Sequence, residues 1–108
     1  MDLAKLAAKI LDAKKGADIR LLDVGSISKV ADYMLVVSGS SPPHLKALSN
    51  EVVHALKEKG VPCYRKAGTP ESGWMVLDYV DVIIHIFSPA ARQYYGVEAL
   101  WAKARLLE

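Results

Sequence analysis

Residues Gly73 to Phe87 form two apolar segments whose side chains alternate between two faces, and this stretch constrains the fold more than any other. Only Val80 and Asp81 separate the two segments. Two short alternating segments joined in this way predict a β-hairpin at the centre of a sheet. A two-residue turn usually requires positive φ, which the β-branched Val80 resists. The pairing between the strands could therefore slip by one residue, although the alternation within each strand would persist.

The predicted hairpin has two different faces, because residues opposite each other on paired strands point to the same side of a sheet. One face is almost wholly apolar and is expected to be covered by helices. It carries Met75, Leu77, Tyr79, Val82, Ile84 and Ile86. The second face, called the mixed face below, combines aliphatic groups with an indole, a carboxylate and an imidazole. It carries Trp74, Val76, Asp78, Ile83, His85 and Phe87. We expect a functional site on the mixed face.

The rest of the chain predicts an α/β domain that spans residues 1–108. The predicted elements are a helix over 2–15, a strand over 18–24, a helical turn over 28–32, a strand over 33–37, a helix from Pro42 to Gly60, an edge strand over 62–66, a polar loop over 68–73, the hairpin, a helix opened by Ser88 and Pro89, and a last helix over 97–104. The strand, helix and strand over 33–66 predict a parallel unit, to which the hairpin adds antiparallel strands. The expected architecture is a mixed sheet of about five strands with flanking helices.

Composition narrows the classes of function. The chain carries 14 basic and 12 acidic residues, and the lysines are spread along it rather than concentrated in the basic patch that phosphate contacts usually need. No direct nucleic-acid readout is predicted. Cys63 is the only cysteine, so neither an internal disulfide nor a cysteine zinc site is expected. No signal peptide and no apolar run approaching the ~20 residues of a membrane span is evident, which favours a cytoplasmic protein without a membrane contact.

Two stretches suggest chemistry but have plainer explanations. The turn from Ser38 to Ser41 leads from a strand into a helix N-terminus, where a phosphate could bind. It lacks the spacing and the lysine of a P-loop, and structural capping of the helix is favoured. Asp78 and Asp81 do not share a strand face by simple alternation, as a metal-binding carboxylate pair would. Asp81 is predicted to form the turn, and Asp78 to accept a hydrogen bond near the strand end.

The remaining candidates are single side chains. His85 is predicted to be a neutral, hydrogen-bonded core histidine, because no motif connects it to a nucleophile. Cys63 is predicted to be a small buried apolar residue, and Trp101 a core residue of the last helix. Trp74, where a polar loop meets a strand, fits a core residue and an interface anchor equally well.

Three blocks of the chain, ADYMLVVSGSS over 31–41, WMVLDYVDVIIHIF over 74–87 and RQYYGVEALW over 92–101, resemble the signature blocks of the ribosomal silencing factor family, also called Iojap-like. The resemblance covers essentially the whole chain. It implies a nucleotidyltransferase-like fold without the catalytic carboxylates, and a non-enzymatic repressor of translation that needs no cofactor. It further implies binding to the large ribosomal subunit through its ribosomal protein number fourteen, with steric exclusion of the small subunit. Some members of the family form homodimers.

Carried over from the family, the partner-facing residues are Trp74, Asp78, Tyr79, Asp81 and His85. The strand alternation places Tyr79 on the other face from Trp74, so it could reach a partner only from the end of the sheet. The chain departs from the family at two places: Val80 stands where glycine is usual, and two prolines at 42–43 replace a polar and basic pair. The alternatives are a small nucleotidyltransferase-like enzyme that binds phosphate or nucleotide at the 38–41 turn, and a homodimeric adaptor that uses the hairpin face for itself.

Overall fold

The computed structural model describes residues 2–25, 31–96 and 105–106. Its elements, in chain order, are α1 (Asp2–Ala13), β1 (Ala17–Asp23), β2 (Tyr33–Ser38), α2 (Pro42–Glu58), β3 (Arg65–Thr69), β4 (Trp74–Asp78), β5 (Val82–Phe87), α3 (Pro89–Tyr94) and β6 (Arg105–Leu106). The helical turn predicted over 28–32 lies largely outside the described residues, and the last helix predicted over 97–104, with Trp101, lies wholly outside them. No helix in the described part is both long and apolar enough to cross a membrane.

The strands form one mixed sheet in the order β3-β4-β5-β2-β1-β6. Strands β2 and β5 pair in parallel, and every other neighbouring pair is antiparallel. This confirms the α/β class and the mixed sheet. The two-residue strand β6, which pairs with β1 through Leu106 and Arg105, is an addition that the sequence pattern did not predict.

The parallel unit is not the predicted one. The strand that follows α2, β3, lies at the sheet edge and pairs with β4, while β5 is the parallel neighbour of β2. The physical reason lies in burial. Strand β2 is apolar on both faces and requires apolar neighbours. Strand β5 satisfies this requirement, whereas every residue of β3 is exposed.

Helix α2 packs on the apolar face of the hairpin and helix α1 on β1 and β2, and together they complete the main core. The predicted buried stripe of α2, Leu45, Leu48, Val52 and Leu56, is confirmed. The start of α2 is also as predicted. Ser41 is the N-cap, and its side-chain oxygen accepts the N–H of His44. Two prolines occupy the first helical positions, where a missing N–H is tolerated. The helix at Ser88 begins in the same way.

Strand β3 lies three residues further along the chain than predicted. It runs over Arg65–Thr69, so that part of the predicted polar loop is strand, and the turn over 70–73 connects it to β4. An exposed edge strand needs no apolar alternation, which is why the pattern did not reveal it. Gly68 is required there, because its φ is +82° and a Cβ would clash with the carbonyl oxygen of Trp74.

The hairpin register is the predicted one. Trp74 pairs with Phe87, Leu77 with Ile84, and the remaining positions follow in step. Val80 adopts the positive φ, 71°, that a β-branched residue resists, so no slip occurs. The alternation of faces and the pairing across the strands are therefore both confirmed.

Candidate partner-binding face

The two faces of the hairpin have different surroundings. The apolar face lies in the main core with side chains of α1 and α2. On the mixed face, Phe87 and Val36 are buried in a second, smaller cluster, to which the described helices contribute only Ala91 of α3. Trp74, Val76 and the other outward residues of β4 are only half-buried. The mixed face is thus an apolar and aromatic surface that the described helices leave largely uncovered.

Trp74 is held in place by its neighbours on this face. Its indole N–H donates a hydrogen bond to Nδ1 of His85 at 3.1 Å. Its ring stacks on Phe87, with the ring centroids 5.4 Å apart, and contacts Tyr95 at a centroid distance of 4.8 Å. These four rings form the aromatic cluster of the mixed face. A half-buried indole with a fixed orientation is well suited to anchor a partner, because little further entropy is lost on binding.

His85 is the polar centre of the aromatic cluster. Desolvation by burial lowers its pKa from 6.5 to about 4, so the ring is uncharged at neutral pH. Because Nδ1 accepts the indole N–H, the single ring proton lies on Nε2. The prediction of a neutral, hydrogen-bonded histidine is confirmed, and its evident role is to orient Trp74.

The two aspartates shape the turn end of the hairpin. Oδ1 of Asp78 accepts the N–H of Val80 at 2.8 Å, and its Oδ2 lies 3.6 Å from Nη2 of Arg65. The carbonyl oxygen of Asp81 accepts the N–H groups of Asp32 and Tyr33, both at 3.0 Å, which ties the turn to the start of β2. Both predicted roles are confirmed. Among the described residues, no group of three or more histidine, cysteine or acidic side chains could hold a metal ion.

Tyr79 is separated from the other residues carried over from the family. Its side chain is 6% exposed and lies in the main core, behind the sheet. Burial, with a smaller contribution from the neighbouring Cys63 thiol, raises the pKa of Tyr79 to about 12. Cys63 itself is half-buried against the core, and its Sγ lies 3.1 Å from the carbonyl oxygen of Arg65. The structure brings Trp74, Asp78 and His85 together on the mixed face but does not bring Tyr79 to it.

The Ser38 to Ser41 turn borders a cleft of about 420 Å³ that Lys14 and Lys15 also line. Its donors serve the fold. The N–H of Ser40 donates to Nδ1 of His44 at 2.9 Å, and the N–H of His44 donates to Oγ of Ser41 at 3.3 Å. The two prolines that begin α2 have no N–H. Few donors at this helix start therefore point to a ligand, which supports the structural explanation of the turn.

The pair Tyr94 and Tyr95 is the part of the face that the residue patterns did not single out. Tyr94 is 83% exposed and Tyr95 53% exposed, and their rings meet edge to face at a centroid distance of 5.1 Å. Tyr95 joins the aromatic cluster through its contact with Trp74. The sequence signals were two adjacent tyrosines at the end of a short helix and their place in the block over 92–101 that resembles the family. Their position beside a strand start depends on how α3 packs, which local patterns do not specify.

Comparisons with known proteins agree with this fold. Residues 1–108 match the family model described as "Ribosomal silencing factor during starvation". A Bacillus subtilis protein named ribosomal silencing factor RsfS is 36% identical over 106 residues, which cover 98% of this chain and 90% of that protein. A crystal structure of a Chromobacterium violaceum protein has a TM-score of 0.88 and 39% identity, and the match covers 94% of this chain and 84% of that one. A mouse protein named mitochondrial assembly of ribosomal large subunit protein 1 is 27% identical, over 89% of this chain and 43% of its own length.

Proposed function

The chain belongs to the ribosomal silencing factor family, and from this membership we propose that it represses translation by binding the large ribosomal subunit. Membership gives the chain a ribosome-associated role in regulating translation. The specific proposal is that the chain docks on ribosomal protein number fourteen and blocks joining of the small subunit in the cytoplasm. All 108 residues act as one binding domain in this proposal.

The observation that carries the proposal is the mixed face with its fixed, half-buried Trp74. Aromatic residues are enriched at the centres of protein interfaces, and hot spots are often indoles set among well-packed neighbours. Tyr94 and Tyr95 extend the same surface with exposed rings. The relative named for assembly of the ribosomal large subunit supports that subunit as the partner.

The proposed mechanism is steric and needs no chemistry. A standard interface buries about 800 Å² on each partner, and in this proposal the mixed face contributes to it together with Tyr94 and Tyr95. A protein docked on the surface that the small subunit must contact excludes that subunit by its volume. We propose that the chain is not an enzyme and uses no cofactor, consistent with the family's regulatory role.

The experiment that tests the proposal mixes the purified protein with isolated large and small subunits. We expect co-sedimentation with the large subunit alone, and a fall in the yield of joined ribosomes as the protein is added. Binding to neither subunit, or binding without any loss of joining, would contradict the proposal. Light scattering at micromolar concentration separates a monomer from a homodimer that buries the mixed face in a second copy.

A further inference from the structure

The turn of the hairpin contains a residue with a strained backbone, Val80, which has no role in the binding face described above. Val80 has a φ of 71°, and the N–H of Asp81 donates to the carbonyl oxygen of Tyr79 at 2.9 Å across it. A hydrogen bond between residues two apart with positive φ at the central position defines a γ-turn of the rare and strained kind. A β-branched residue at positive φ is itself an outlier.

The surroundings hold this conformation in place. The N–H of Val80 donates to Oδ1 of Asp78, and Tyr79, the residue before it, is buried in the core. The carbonyl oxygen of Asp81, the residue after it, accepts from the backbone of Asp32 and Tyr33. Strain of this kind persists only where the neighbouring structure determines it, and it is concentrated at functional sites.

Contacts of the Val80 side chain within the described chain do not offset the strain. The side chain of Val80 is 55% exposed, and glycine would adopt the same backbone freely. Among the described residues, the other non-glycine positions with positive φ are Lys15 and Asp18, both polar. Val80 is therefore the one described position where a strained backbone presents an apolar side chain to solvent.

The charges around Val80 indicate which class of partner it would meet. Asp32 and Asp81 are exposed, whereas the Asp78 side chain is 17% exposed and its Oδ2 lies 3.6 Å from Nη2 of Arg65. Three carboxylates and one guanidinium therefore lie at this end of the sheet. Clustered carboxylates repel the phosphates of RNA. An aliphatic group among carboxylates instead suits the surface of a protein that offers an apolar recess.

We propose that Val80 is a further binding residue, whose isopropyl group packs into an apolar recess on the protein component of the large subunit and adds to the contact made by the mixed face. This inference rests on the proposed function. The contact with the partner offsets the strain that the free protein carries in its turn, so Val80 adds affinity at a cost to stability.

The test uses three variants of the full chain, in each of which melting temperature and affinity for purified large subunits are measured. Val80→Gly relieves the strain and removes the side chain, so we expect a higher melting temperature and about tenfold weaker binding. Val80→Thr keeps the β-branching and replaces one methyl group with a hydroxyl, so the melting temperature should change little while binding still weakens. Lys15→Gly relieves a φ of 64° beside the cleft at the other end of the strands, and should raise the melting temperature without affecting binding.

The outcomes distinguish the proposed function from the proposed binding role of Val80. If the parent chain fails to bind large subunits, the proposed function is wrong, and the proposed contact of Val80 is wrong as well. If the parent binds and Val80→Gly binds equally well, the proposed function stands and the role of Val80 is overturned. A melting temperature of Val80→Gly at or below that of the parent would overturn the claim that the turn is strained.

Discussion

The indole nitrogen of Trp74 and Nδ1 of His85 lie 3.1 Å apart across the two strands of the hairpin, joined by a hydrogen bond that the indole donates. The two rings also stack, with centroids 5.9 Å apart. The imidazole can accept this bond only while Nδ1 is unprotonated. The orientation of the candidate anchor therefore depends on the neutral state of its neighbour.

Truncation of the anchor should affect binding more than any other single change on the mixed face. Trp74→Ala is expected to weaken binding to the large subunit by about 2 kcal/mol, around thirtyfold, because an indole at the centre of an interface supplies much of its energy. Affinity is measured by co-sedimentation, with circular dichroism to establish that the variant folds. His54→Ala, on the exposed side of α2, is the matched control and should bind like the parent. A folded Trp74→Ala variant with parental affinity would show that the anchor lies elsewhere.

Acid should destabilise the protein through His85. Its pKa is about 4 in the folded chain against an ordinary 6.5, so below pH 6.5 the unfolded chain takes up the proton first. Stability is therefore expected to fall between pH 6.5 and pH 4, by up to about 3 kcal/mol, and this contribution to the pH dependence should end below pH 4.

Urea unfolding of the parent and of His85→Asn over this range measures the effect. Asparagine keeps an acceptor for the indole but does not titrate, so the variant should lose that part of the pH dependence. Parallel pH profiles for the two proteins would rule out His85 as its source.

Substitutions at two glycines distinguish the cost of a steric clash from the cost of a positive φ. Gly60 and Gly68 both have a φ of +82°, but a Cβ at Gly60 meets nothing within 4 Å, whereas one at Gly68 meets the carbonyl oxygen of Trp74. Gly60→Ala should cost about 1 kcal/mol, from the positive φ alone. Gly68→Ala should cost at least about 2 kcal/mol more, because β3 must move away from β4. The difference in unfolding free energy between the two variants is the test; equal losses would mean that β3 yields without penalty.

The two contacts of the Asp78 carboxylate, with Arg65 and with the N–H of Val80, should contribute unequally to the free energy of unfolding. Its pairing with the largely exposed guanidinium of Arg65 is long, at 3.6 Å, so Arg65→Ala should change the unfolding free energy by less than about 0.5 kcal/mol. Asp78→Ala also removes the acceptor for the N–H of Val80 and should cost about 1 to 2 kcal/mol. Denaturant unfolding of both variants compares the two contacts. A larger loss from Arg65→Ala would assign the role of Asp78 to the ion pair.

Local patterns predicted the parts of this fold that local physics determines. The hairpin faces follow from alternation, and the start of α2 follows from a serine before two prolines. The neutral state of His85 follows from its apolar strand. The partner-facing role of the mixed face came from the family resemblance and stays a prediction.

Other features depend on contacts between distant segments, which no local pattern specifies. The parallel pairing of β2 with β5 is one, and the packing of Tyr95 on Trp74 is another. Strand β3 was predicted as an edge strand but three residues too early, because an exposed strand has no apolar alternation to mark its ends.

The parallel pairing of β2 with β5 also determines when the chain can fold. The intervening helix and two strands must all be synthesised before β2 gains its second neighbour. Until then, one edge of this apolar strand stays open, and loop-closure entropy opposes the long-range contact. Folding on the ribosome is therefore a late event, complete only after β5 has left the exit tunnel, and a fragment that ends before Val82 is expected to aggregate rather than fold.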